Sequence, residues 1–272
     1  MQRSHYGLAS ILALALVSGC ATSPTGRSQL MLISPQTAIS ESEKAYIHTV
    51  GTLNKENKLV HDVTVNRRVQ EITGRVVAVA MKQYPESRNW KWSVAVIDDP
   101  ETVNAWAMAG GRMAVYTGLL EQLNLTDAEL AQIMGHEIAH ALANHTAEQM
   151  SVAMATQLGV TAVGVATDAS EKTLGAGAIA AQLAVQLPNS RAAEAEADRI
   201  GIELAARAGY DPQAAVTLWQ KMAKVGGEGP PQFLSTHPAP GNRQKTLSAL
   251  VPQMRALQRP DPGPVAPVTL AR

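Results

Sequence analysis

This 272-residue chain has one cysteine, one phenylalanine and no excess of either charge. With Cys20 alone, no intramolecular disulfide can staple the fold. Its 23 basic and 23 acidic residues cancel, and no basic run occurs, so nucleic acid and strongly acidic substrates receive no electrostatic support. Internal repeats are not evident, which excludes a helical-repeat partner-binding domain within these residues. Long apolar runs are also missing. Segments 151–167 and 173–189 are uncharged and rich in alanine, glycine and valine, but Gln157, Gln182, Gln186 and several glycines make them too polar and too short to span a bilayer. A buried or lid-forming helical pair is expected there.

The first twenty residues, MQRSHYGLASILALALVSGC, combine Arg3, an apolar run from Leu8 to Val17, and the small residues Ser18 and Gly19 before Cys20. The pattern resembles a bacterial lipoprotein signal peptide over 1–19, with Cys20 as the lipidated first residue. Ala21 after it resembles the pattern sent to the outer membrane. A lipid anchor at the periplasmic face of that membrane is therefore expected, with residues 20–32 as a flexible tether. Residues 252–272, proline-rich, are expected to be disordered. One domain over 33–251 remains, long enough to bury a substantial core.

Its chemistry is concentrated in MGHEIAHALANH, residues 134–145. Thr126 and Glu129 form a capping box that starts a helix near Asp127, and Leu130, Ile133, Met134, Ile138, Ala141 and Leu142 mark its apolar stripe. His136 and His140, at i and i+4, share a face on which two imidazoles can reach one cation, with Glu137 beside them. On a continuing helix His145 falls on the far side, and is expected to be a structural or helix-terminal histidine.

A catalytic zinc site takes a third protein ligand. Downstream, SRAAEAEAD lies on another predicted helix, with Glu194 and Asp198 on one face and small alanines between. Glu194 is the expected third ligand, Asp198 the acceptor that fixes a ligand histidine, and Glu196 a solvated charge. Val65 to Val79 trace a long amphipathic helix, Ser34-Pro35 opens another, and WSVAVID and RMAVYTG read as paired strands about the Gly110-Gly111 turn.

HEIAH followed by SRAAEAEAD, together with VNAWAMAGGRMAVYTGLL and STHPAPGNR, resembles the zinc metallopeptidase family that includes HtpX, the mitochondrial Oma-type proteases and the CAAX prenyl endopeptidases, in its bacterial periplasmic lipoprotein branch. The likeness runs over roughly residues 30–250. Trp106 and Met108-Ala109 depart from its usual phenylalanine and leucine-proline. It implies an α+β, mainly helical zincin with a small antiparallel sheet beside the active-site helix, and one Zn²⁺ per chain. Glu137 would be the general base. His237 and Arg243, from a late loop that resembles the segment closing over the cleft, would stabilise the oxyanion, or His237 would sit on zinc and gate it by swinging on a hinge at Gly226, Gly227 and Gly229. Asn104, Ala105, Trp106, Ala107 and Met108 are placed on the substrate rim, with a core role for Trp106 as the alternative. The implied substrates are misfolded or misassembled envelope proteins, and the implied partners include outer-membrane assembly proteins. A noncatalytic chaperone or assembly factor with structural zinc is the competing class.

Overall fold

The structure, a computed structural model, describes residues 20–167, 190–225, 231–238 and 241–271. The expected signal peptide, segment 173–189 and the glycine hinge lie outside the described residues. After the hairpin of β1 (Cys20–Thr22) and β2 (Ser28–Leu30) come α1 (Pro35–Lys55) and α2 (Val63–Gln83). Both helices start where side chains relieve the unpaired amides of a first turn. Ser34 accepts from the Thr37 amide with Pro35 opening α1, and Asp62 accepts from Thr64 and Val65 to open α2.

Strands β3 (Ser93–Ile97), β4 (Ala105–Met108), β5 (Arg112–Tyr116) and β6 (Thr269–Leu270) form one sheet in the order β4-β5-β3-β6. The β4-β5 hairpin is antiparallel and turns at Gly110 and Gly111, whose φ values of 81° and 79° favour glycine. The expected small antiparallel sheet holds for β4 and β5, whereas β3 runs parallel to both β5 and β6. Two reversals separate β3 from β5, so direction is restored.

Both faces of the sheet are covered. Val94, Val96, Met113 and Val115 join the main core with α2 and α4 (Asp127–Leu142), while Ala95, Ile97 and Ala114 pack with Tyr46 and Val50 of α1. The remaining α-helices among the described residues are α3 (Thr117–Gln122), α5 (His145–Thr167), α6 (190–207), α7 (Gln213–Met222), α8 (Gln232–Thr236) and α9 (Arg243–Arg255). The class is α+β and mainly helical, as expected. No helix among the described residues is long and apolar enough to cross a membrane. Met154 and Leu158 on α5 are exposed.

Two expected flexible segments are instead packed. Arg27 forks onto both oxygens of Glu148 and donates to Glu196, and Gln29 donates to Glu148 and to the Ala143 carbonyl, fixing residues 27–29 of the expected tether against α5 and the end of α4. The proline-rich tail lies along α2. Ala266 donates its amide to the Gly74 carbonyl, and Gln70 and Arg75 donate to the carbonyls of Val268 and Gly263. The prolines do not prevent this docking, because the donors are amides between them and side chains of α2.

Candidate metal centre

Helix α4 begins with the expected capping box between Thr126 and Glu129. It crosses α6 where Gly135 meets Gly201, a close approach that only two residues without side chains allow. That crossing brings Glu194 and Asp198 to the histidine face. His136 Nε2 lies 3.2 Å from Glu194 Oε2, His140 Nε2 3.3 Å from Glu194 Oε1, and the two histidine Nε2 atoms are 3.1 Å apart. Asp198 Oδ1 stands 3.0 Å from the other nitrogen of His136. It thus meets the ring from outside the cluster.

His237 follows α8 and enters the same cluster. Its Nδ1 is 3.2 Å from Glu194 Oε1 and 3.3 Å from His136 Nε2, and its Nε2 is 3.5 Å from Glu137 Oε1. Phe233, the only phenylalanine of the chain, stacks on the His237 ring at 4.4 Å between centroids. The Phe233 amide donates to the Val103 carbonyl, which ties α8 to the chain entering β4. Sequence reasoning passed over Phe233, though a lone aromatic four residues before His237 was a usable sign.

Arg243 is buried at the start of α9. Its guanidinium donates to Asp198 and Glu194 and lies 3.7 Å over the Trp219 ring. This places it behind the carboxylates, where it orients them. The rim residues divide by strand alternation. Ala105 and Ala107 face the core that contains α4, whereas Trp106 and Met108 face the α1 side, with Trp106 edge-on to Tyr46 at 5.9 Å. Asn104 is buried and its Oδ1 accepts from the Ala105 amide and the Thr236 hydroxyl.

Two expectations fail nearby. The helix does not continue to His145, because Asn144 takes φ 55° and α5 starts afresh, so His145 turns back to put its Nδ1 2.9 Å from His140 Nδ1. Glu196 is buried rather than solvated, since Thr25, Arg27 and His145 converge on it. Cys20 is exposed at the start of β1.

The electrostatics follow from burial and pairing. Burial lowers the pKa of His136, but Asp198 and Glu194 outweigh it and raise the value to about 9. His140 is driven well below its ordinary value by burial. Burial raises Glu194, yet bonds from His136, His140 and His237 hold it far below the carboxylate range. Glu137 is raised by burial. Its Oε1 has no hydrogen-bond partner among the described residues, while the carboxylate accepts from the Ala107 amide of β4.

One donor atom from each of His136, His140, Glu194 and His237 falls within 4.8 Å of the others. Three imidazole nitrogens and a carboxylate oxygen suit zinc, and in the neutral His136 ring the Asp198 contact on Nδ1 leaves the Nε2 lone pair facing the cluster. The comparisons agree with this chemistry. Residues 64–251 match peptidase family M48. Human "Metalloendopeptidase OMA1, mitochondrial" is 34% identical over 84% of this chain and 45% of its own length, and the bovine protein of that name is 32% identical over the same shares. The "Beta-barrel assembly-enhancing protease" of Yersinia pestis is 30% identical over 72% of this chain and 41% of its own. The chain belongs to peptidase family M48, whose members are zinc metalloendopeptidases, and spans less than half the length of these three relatives. The expected location at the periplasmic face of the outer membrane, anchored at Cys20, is overturned. Relatives named as mitochondrial come from animals, a plant and yeasts, and the outer-membrane lipoprotein branch is not shown.

Proposed function

We propose that this metalloendopeptidase cuts misfolded or misassembled envelope proteins as quality control, with proteins awaiting β-barrel assembly among its substrates. The bacterial relatives, each named as a β-barrel assembly-enhancing protease, support that substrate class. The observation that carries the reading is Glu137. It is buried beside His136, His140 and Glu194, and it accepts from the amide of Ala107 on edge strand β4. An extended substrate laid along that edge by main-chain hydrogen bonds would pass the base.

His136, His140 and Glu194 would hold the zinc. When bound, the ion supplies acidification of a water and polarisation of the scissile carbonyl. Glu137 takes the proton of the attacking water on Oε1 and delivers it to the leaving amine. Asp198 holds the His136 ring, and Arg243 holds Asp198. His237 acts as a gate, because its Nδ1 stands among the donor atoms where the attacking water must enter. Asn104 and Phe233 keep the gate segment against β4.

Cleavage of an unfolded protein by the purified chain, with and without Glu137→Gln, tests the reading alongside metal analysis. Zinc-dependent cuts that vanish in the variant are expected. Stoichiometric zinc without any cleavage would instead favour the noncatalytic chaperone.

A further inference from the structure

Beyond the metal ligands, an unbroken line of polar contacts runs from the 20–30 hairpin to His140. Glu196 Oε1 accepts from the Thr25 hydroxyl at 2.6 Å, and Glu196 Oε2 accepts from Arg27 Nε at 3.0 Å. The same Oε2 lies 3.2 Å from His145 Nε2, and His145 Nδ1 lies 2.9 Å from His140 Nδ1. His145, Glu196 and Glu148 are all buried. Arg27 closes the line by also forking onto Glu148.

We propose that His145, Glu196 and Arg27 are positioning residues that lock His140 in its ligand tautomer, making the hairpin part of the metal centre. The inference rests on the metallopeptidase reading. An ionised carboxylate only accepts, so Glu196 requires the proton of His145 on Nε2. Nδ1 of His145 is then an acceptor and requires a proton on His140 Nδ1. That leaves the lone pair of His140 on Nε2, the nitrogen that faces His136 and Glu194. Were His145 to carry its proton on Nδ1, His140 would have to carry its own on Nε2 and could not bind metal. Hydrogen-bond direction is therefore set at the hairpin and transmitted inward. Arg27 and Thr25 keep both Glu196 oxygens occupied, so the carboxylate cannot turn away.

The test uses the full chain and two readouts other than activity. Long-range proton–nitrogen NMR of the zinc-loaded protein should find His140 protonated on Nδ1 and His145 on Nε2. The opposite tautomer at His145 overturns the proposal. Zinc affinity from chelator competition should fall about 10 to 100-fold in Glu196→Gln, whose amide puts an NH2 donor in place of one of the two accepting oxygens. In a His145→Asn background, where the Glu196 link is already cut, Glu196→Gln should change zinc affinity no further. Thermal midpoints taken in chelator show whether apo stability alone has moved. A lowered apo midpoint with unchanged zinc affinity would mean mere structural packing and would sink the relay. Wild-type protein that binds no zinc would instead remove the metallopeptidase reading itself.

Discussion

Gly135 and Gly201 meet backbone to backbone. A Cβ on Gly135 would lie 2.7 Å from the Gly201 carbonyl oxygen, and one on Gly201 the same distance from the His136 amide nitrogen. Neither neighbour can yield without moving a helix. Gly135→Ala and Gly201→Ala should each cost about 1–3 kcal/mol and lower zinc content, because α6 must retreat and carry Glu194 with it. A Cβ on Gly159 of α5 would meet no atom of the described residues within 4 Å, so Gly159→Ala is the control and should gain about 0.5–1 kcal/mol. Thermal melts and metal analysis of the three variants check this.

Glu137→Gln should leave fold and zinc in place and reduce turnover about 100-fold or more, since it removes the base and spares the ligands. Metal content and cleavage rate measured on one preparation separate the two effects. Loss of both together would contradict the role of Glu137.

Glu194→Ala should empty the centre, whereas Asp198→Asn should weaken zinc affinity or rate by about 10 to 100-fold, as expected of a group that only steadies His136. Chelator competition distinguishes them.

His237→Ala should raise cleavage of an unfolded substrate and promote self-cleavage, because the gate leaves the donor cluster. A fall of about 100-fold would show that His237 stabilises the oxyanion instead.

Glu129 links stability to pH. Burial raises its pKa, but bonds from Lys221, the Thr126 amide and Thr217 outweigh this and hold it below the ordinary value. Its contribution is complete above the unfolded value of about 4.3 and disappears as pH falls through the lower folded one. Glu129→Gln should thus cost about 1.5–3 kcal/mol at neutral pH. Its difference from wild type, followed by melting, should narrow below about pH 4. A constant difference down to pH 2 would exclude the linkage.

What the sequence made legible was local. The Thr126–Glu129 cap, the His136–His140 spacing and the Glu194–Asp198 pair each depend on residues within about one turn of each other; the cap forms, and the structure brings the two pairs together. Long-range pairing was hidden. Nothing near Arg27 announces Glu148 or Glu196, more than a hundred residues away, so an anchored hairpin read as a tether. His145 was misplaced by a single left-handed residue, Asn144, which reset the helical phase. The small residues at 135 and 201 were visible, but their meeting depends on how two helices cross.

The sheet that carries β4 is complete only when Thr269 and Leu270 lie beside Ser93 and Val94. Contacts so distant along the chain form late, after the loop between them has closed. A polypeptide emerging from its N-terminus at about 5–20 residues per second therefore displays HEIAH well before the last strand arrives. The strand that meets Glu137, β4, and the strand laid down by the proline-rich segment, β6, thus stand at opposite edges of one sheet.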